Sequence, residues 1–235
     1  MSQTVHSEWG LAGVEALRDR VAVLVIVDIL SFSTAVDIAT SRGAAILPFP
    51  YGDTVAAQTA ADEAGAVLAA PRNAGGQLSL SPHSLTTITS GTRLMLPSPN
   101  GSRLSLAGDT AKVLAGCLRN AAAVARHAHM MAEGGDIAII PAGERWPDGS
   151  LRPAVEDLLG AGAIIAALNL STSAEARVAR DAYRAAGPDL ADIIRGGRSG
   201  RELAGWGYAD DVDLAVEVDV SATAPVLCDG VYRAA

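Results

Sequence analysis

One lysine, Lys112, stands against 17 arginines in this 235-residue sequence, and aromatic residues make up only 4% of it. Cysteine is almost as scarce: Cys117 and Cys228 lie too far apart for any metal-ligand spacing. That excludes a disulfide scaffold and a zinc ribbon, and both thiols are expected to be reduced and structural. Four histidines, His6, His83, His127 and His129, are scattered, which removes the zincin motif; each is expected on a surface or a helix. Basic runs are missing, and with a net charge of −8 the chain is not a general nucleic-acid binder. The most apolar stretch, Leu158 to Leu168, falls well short of the ~20 residues that cross a bilayer, so no membrane partner is expected. No basic region or long apolar run marks the first residues as a secretory signal, and a cytoplasmic location is the expectation.

Several catalytic signatures are also missing. There is no glycine-lysine phosphate loop. Gly160-Ala-Gly162 lacks the third glycine of a dinucleotide fingerprint, no Gly-x-Ser-x-Gly elbow occurs, and Leu30 stands where an Asp-x-Asp phosphatase motif needs its second acid.

What is present is apolar: 49% of the residues are hydrophobic, enough for a substantial core. Val21 to Val27 is an unbroken apolar run rich in β-branched residues, as expected of a strand covered on both faces. Further strands are predicted at Ala45 to Phe49, Ala66 to Ala70, Arg93 to Leu96, Lys112 to Cys117 and Asp136 to Ile140, with Pro225 to Cys228 as an edge strand. Helices are predicted at Ser33 to Ser41, capped by Ser31 or Ser33, and at Val55 to Ala64. Others are Ala121 to Glu133 behind Asn120, Val155 to Asn169, and the solvated Ala174 to Ala186. Strands alternating with helices define an α/β protein with a mostly parallel sheet flanked by helices. The long, polar Pro71 to Thr92 segment reads as a functional loop or as a connection between two lobes, 1–90 and 91–235, with a site between them. The small residues from Gly160 to Ala167 suit close packing, either within the chain, which is expected, or on the partner of a homodimer.

In open parallel sheets the C-terminal strand ends line the ligand crevice. Here those ends carry Asp28, Ser31, Ser33 and Thr34; Arg72; Asn100, Gly101, Ser102 and Arg103; Asn120; and Glu144. Asp28, directly behind an apolar run, needs a cation, a metal or amide partners; it either caps the next helix through the Ser31 or Ser33 amide, or serves as metal ligand or catalytic carboxylate. Asn100 to Arg103 suits an oxyanion, or is simply a tight turn. Glu156 and Asp157 fall in a first helical turn, where the macrodipole favours acids without any function. Oxygen-only acids suit Mg²⁺ better than zinc. Asp210, Asp211 and Asp213 read as a solvated acidic turn.

Five motifs occur in an order that resembles the 2-phosphosulfolactate phosphatases, from about Val21 to Val231. They are Val-Asp28-Ile-Leu-Ser-Phe-Ser-Thr34, Pro99-Asn100-Gly101-Ser102-Arg103, Gly116-Cys-Leu-Arg-Asn120-Ala, Pro141-Ala-Gly143-Glu144 and Glu156-Asp157-Leu-Leu-Gly-Ala-Gly162-Ala. The resemblance implies an α/β fold and a magnesium-dependent hydrolase. Such an enzyme converts a small anionic phosphoester, 2-phosphosulfolactate, to sulfolactate and phosphate on the route to coenzyme M. Two departures stand out: Ser31 stands where the family commonly has Arg, and its glycine-rich loop survives only as Pro71-Arg72-Asn73-Ala-Gly75-Gly76 and Ser81-Pro82.

On that resemblance, Asp28 with Glu144 or Glu156 holds Mg²⁺. Asn100, Gly101, Ser102 and Arg103 cradle the phosphoryl group, Arg72 and Asn120 meet the acid groups, and Glu144 or Asp157 is the general base. Ser31, Ser33 and Thr34 add donors at a helix start. Two other readings stay open, a non-catalytic binder of a small organic anion and a metal-dependent hydrolase or lyase on another organic acid. The negative charge does not oppose a small anion, because one divalent ion and one or two arginines make a pocket locally positive.

Overall fold

The computed structural model describes residues 3–108 and 111–235. The chain begins with β1 (Thr4–Ser7), α1 (Gly10–Leu17), β2 (Val23–Val27), α2 (Phe32–Ser41), β3 (Ala45–Pro50), α3 (Thr54–Glu63) and β4 (Val67–Leu68). After a long loop come β5 (Arg93–Ser98), α4 (Gly101–Leu106), β6 (Lys112–Gly116), α5 (Ala121–Ala132) and β7 (Ile137–Pro141). A small hairpin, β8 (Glu144–Arg145) and β9 (Leu151–Arg152), leads into α6 (Val155–Leu168), β10 (Ser171–Thr172) and α7 (Ala174–Ala186). The last elements are α8 (Leu190–Gly196), α9 (Arg198–Gly205), α10 (Ala209–Ala215), β11 (Pro225–Cys228) and β12 (Val231–Ala234).

Ten strands form one sheet in the order β10-β1-β7-β2-β6-β11-β12-β3-β5-β4. The first five are parallel to one another, as are β3, β5 and β4; the antiparallel hairpin β11–β12 joins the two blocks. Strands from both sides of residue 90 interleave: β2 lies between β6 and β7, and β3 lies between β12 and β5.

Alternation along β2 explains its unbroken apolar sequence. Val23, Val25 and Val27 pack with α5, α6 and α7 residues on one face, while Leu24 and Ile26 pack with α2 and α4 residues on the other. Ile137 and Ile139 of β7 join the first face, Ala138 and Ile140 the second. A strand covered by helices on both sides has no position for a polar residue until it ends, and Asp28 is the first residue past β2.

Several local expectations change. Pro225–Cys228 is an interior strand, because Val231–Ala234 turns back and covers its free edge. Strand β1 is too short and too mixed to stand out by pattern. The helix α2 is capped by Asp28, whose Oδ1 accepts from the Phe32 amide; Ser31 and Ser33 give no capping bond. Asn120 does not cap α5; its Oδ1 accepts from the Cys117 amide. The small residues of α6 serve the chain's own packing, since a Cβ on Gly162 would sit 2.2 Å from the Ala179 carbonyl of α7 and one on Gly160 2.5 Å from Ile29. No helix among the described residues is long and apolar enough to cross a membrane.

Candidate active site

Where β2 ends, the backbone turns inward with Asp28 buried. Its Oδ1 takes the Phe32 amide, and its Oδ2 takes the Gly101 amide at 2.9 Å, 73 residues further along. This second bond explains the glycine. A Cβ on Gly101 would lie 2.2 Å from Phe32 Cδ1, so only glycine lets the start of α4 close on the turn after β2. Burial pushes the Asp28 carboxyl up to about 6, with the charge of Glu156 adding to it; the Phe32 and Gly101 amides and Arg72 pull the other way.

The end of β7 is placed by a clamp. Asp157, in the first turn of α6, accepts from the Ile29 amide with Oδ1 (2.7 Å) and from the Gly143 amide with Oδ2 (2.9 Å). It thereby ties the residue after Asp28 to the residue before Glu144. Gly143 has φ +67 and packs against the Arg152 carbonyl and the Leu151 side chain, a left-handed, crowded position that suits glycine alone. Burial, reinforced by the charge of Asp28, raises Asp157 well above the usual carboxylate range. Glu144 Oε2 accepts from Asn100 Nδ2 at 3.0 Å, and burial, with the charge of Asp28, raises Glu144 to about 7. Glu156 is 2% exposed and makes no hydrogen bond or ion pair among the described residues. Its charge raises Asp28, Glu144 and Asp157.

A cavity of about 320 Å³ opens over this group, lined by Asp28, Ser31, Arg72, Asn100, Glu144 and Arg145 among others. Arg72 comes from the long loop. Its Nη1 donates to Asp211 Oδ2 at 2.5 Å, and its Nη2 donates to Ser31 Oγ at 3.0 Å and to the Leu80 carbonyl. The guanidinium also lies 5.1 Å from the Tyr208 ring centre. Asp211 is 1% exposed and further accepts from Ser81 Oγ and the His83 amide. The expected solvated acidic turn therefore holds a buried counter-ion, while Asp210 and Asp213 stay exposed.

Of the residues expected to meet substrate, Ser31, Arg72 and Asn100 line this cavity. Arg103 instead lines a smaller, adjoining cavity of about 190 Å³, which shares Asn100, Glu144 and Arg145 with the first. Five others are committed elsewhere. The Ser33 hydroxyl donates to the Ile26 carbonyl, that of Thr34 to Ile29 and that of Ser102 to Leu96, all in the interior. Gly101 spends its amide on Asp28. Asn120 is fully buried beside Asp37, in a network where Arg119 Nε and Ser221 Oγ donate to the Asp37 carboxylate. Asp28 also has both oxygens on amides but lines the cavity, whereas Asp157, with both oxygens on amides, does not line it and is placed to position rather than to react.

Arg145, next to Glu144 at the strand end, also lines the cavity; Arg152, Ser199, Glu202 and Trp206 do so too and were not anticipated. Their segments carry no motif; only the β8–β9 turn and the packing of α9 bring them to Glu144.

Fold and site together define an α/β protein with buried or half-buried carboxylates and arginines facing one cavity at the strand ends. A family model described as 2-phosphosulpholactate phosphatase matches residues 13–230, and the chain belongs to that family. A curated 2-phosphosulfolactate phosphatase from Methanothermobacter thermautotrophicus is 34% identical over 139 residues, 58% of this chain. The match spans 57% of that relative's own length.

Proposed function

We propose that this protein is a phosphoric monoester hydrolase that converts 2-phosphosulfolactate to sulfolactate and phosphate. The observation that carries this reading is the convergence of Asp28, Glu144, Asn100 and Arg72 on one cavity. Anion donors and acids of raised pKa facing a common space are what ester hydrolysis near neutral pH needs. The family membership and the name of the relative support the substrate.

Arg72 and Asn100 bind the phosphoryl oxygens. Arg72 is the better donor because Asp211, Ser31 and Leu80 fix its plane before substrate arrives. Glu144, raised to about 7, accepts the proton of the attacking water as its oxygen bonds to phosphorus and the ester P–O bond breaks. The departing alkoxide takes up a proton from solvent and leaves as the free hydroxy acid, and Glu144 returns its proton to solvent. Asp157 keeps Asp28 and Glu144 at their separation through its two amide bonds.

Mg²⁺ fits the donor set. Asp28 and Glu156 are buried oxygen donors, and Glu156 has no cation or hydrogen-bond partner of its own among the described residues. No three Asp, Glu, His or Cys side chains among the described residues stand together so as to enclose an ion. Mg²⁺ keeps several waters and takes one or two carboxylates plus substrate phosphate. Asp28 and Glu156 are the residues that would hold it. When bound, the ion supplies neutralisation of the phosphoryl oxygens and a more acidic water.

The test is release of phosphate from 2-phosphosulfolactate and related phospho-hydroxy acids, with Mg²⁺ and with EDTA. Turnover that EDTA abolishes and Mg²⁺ restores is expected. Turnover indifferent to EDTA overturns the metal, and absence of turnover with every such ester overturns the hydrolase.

A further inference from the structure

A second guanidinium faces the same cavity from the opposite end of the sequence pattern. Arg152 closes the β8–β9 hairpin and is only 9% exposed. Arginine is almost never buried to this degree without full pairing. Here the pairing is thin. Nη2 reaches Ser199 Oγ at 3.5 Å, the limit of a hydrogen bond, and Glu202 Oε2 at 3.2 Å. The Nε and Nη1 donors have no protein partner among the described residues and remain open to solvent. Glu202 is shared, since its Oε1 accepts from Arg198 Nε at 2.8 Å. The counter-charge on Arg152 is therefore divided, and its donors are left for something that enters the cavity.

The contrast with Arg72 is informative. Arg72 has a dedicated, buried counter-ion in Asp211 and is spread over Ser31 and Leu80. Both guanidinium groups line the same cavity and share no hydrogen-bond partner. Arg72 interacts with both Asp28 and Glu144, whereas the charge of Arg152 lowers Glu144. Ser199, buried in the first turn of α9, presents its hydroxyl beside Arg152, and Leu203 and Trp206 supply an apolar wall next to it. Trp146 flanks Arg152 and Arg198, with ring-centre distances of 5.9 and 4.9 Å. A planar fork with free donors, a neighbouring hydroxyl and a half-neutralised charge is a receptor for a compact oxyanion.

We propose that Arg152 and Ser199 form a subsite for the second acid group of the substrate, a sulfonate or carboxylate on the carbon skeleton, distinct from the phosphoryl group held by Arg72 and Asn100. This assignment rests on the hydrolase reading and adds to it the residues that make the site select phosphorylated hydroxy acids over phosphate esters of alcohols that carry no acid group. Arg152 and Ser199 are specificity determinants rather than catalytic groups.

Two measurements test it on the full chain. The first compares kcat/KM for 2-phosphosulfolactate, 2-phospholactate and glycerol 2-phosphate in wild type, Arg152→Met, Arg152→Lys and Ser199→Ala. In Arg152→Met the preference for the acid-bearing esters over glycerol 2-phosphate falls by about 10- to 100-fold, mostly through KM, the effect expected of one charged hydrogen-bonding group. Arg152→Lys recovers part of the preference, because charge returns without the fork. An equal loss with all three esters, or an unaltered preference, overturns the proposal. The second measurement is calorimetric binding of sulfolactate, lactate and inorganic phosphate. Arg152→Met loses affinity for the acids by about 10-fold or more beyond any loss for phosphate. Undiminished acid binding in the variant, or no acid binding by wild type, overturns the subsite even if no ester is hydrolysed. Absence of turnover alone, with acid binding that depends on Arg152, overturns the hydrolase reading and leaves the subsite standing. Thermal melts of each variant identify a misfolded protein, in which case Arg152→Lys and Ser199→Ala decide: full retention of the preference by Ser199→Ala together with Arg152→Lys counts against the proposal.

Discussion

Asp211 Oδ2 accepts a hydrogen bond from Arg72 Nη1 at 2.5 Å across 139 residues of sequence. Asp211 is almost wholly buried, and Arg72, which it holds, reaches on to Ser31 in the cavity. Burial lowers the pKa of Arg72 and Asp211 opposes that, so the pair is a buried charge with its counter-ion. Asp211→Asn keeps an acceptor but strands the guanidinium. It should destabilise the protein by about 3 kcal/mol and raise KM for the phosphate ester. Urea unfolding and steady-state kinetics check both. In a double-mutant cycle, Arg72→Gln with Asp211→Asn should cost clearly less than the sum of the single changes.

Asp157 offers a sharper case, because both its oxygens face amide N–H groups. Asp157→Asn must turn an NH₂ toward either Ile29 or Gly143 and so leaves a buried amide opposed by a donor. A loss of about 2 kcal/mol is expected in denaturant unfolding, together with a fall in kcat, since the clamp that spaces Asp28 from Glu144 is half open.

Stability should depend on pH with a sign opposite to that of a salt-bridged carboxylate. Asp28 is raised to about 6 and Glu144 to about 7, from ordinary values of 3.8 and 4.5. Between those limits the folded state holds protons that the unfolded state has lost. The stabilising contribution of the neutral groups is therefore complete below about pH 4 and is lost as pH rises through 6 and 7. In EDTA the melting temperature should fall from pH 5 to pH 7.5, and Mg²⁺ should recover it at the upper end. Asp28→Asn combined with Glu144→Gln should flatten the EDTA profile.

Two glycines distinguish site from scaffold. A Cβ at Gly101 would lie 2.2 Å from Phe32 and displace the amide that Asp28 accepts; one at Gly162 would lie 2.2 Å from the Ala179 carbonyl. Each alanine variant should lose about 1–3 kcal/mol of stability. Only Gly101→Ala should also lower kcat/KM by more than the loss of folded protein explains, as read by titrating active sites.

Much of the site's framework was legible because it follows local rules. Asp28 had to lie at a covered strand end, since seven apolar residues precede it and the strand is buried on both faces. Gly101 allowed close approach, though to Asp28 and Phe32 rather than to an oxyanion. The committed hydroxyls of Ser33, Thr34 and Ser102 were not legible, because the same residue types serve a substrate or a neighbouring carbonyl, and only the backbone path chooses between them. Arg103 was placed in the right turn, but helical geometry aims it at the adjoining cavity.

The sequence by itself determined the alternation of strands and helices, the family and the position of the acids at strand ends, because periodicity and motif order are local properties of the chain. Tertiary structure decided which polar groups are free. Asp211 was drawn inward to neutralise Arg72, Asp157 was spent on two amides, and Arg152 was brought to the cavity with donors unfilled. Partners of a buried charge are chosen by proximity in space, and the strong cost of leaving such a charge unpaired sets those pairings over separations that no sequence pattern records.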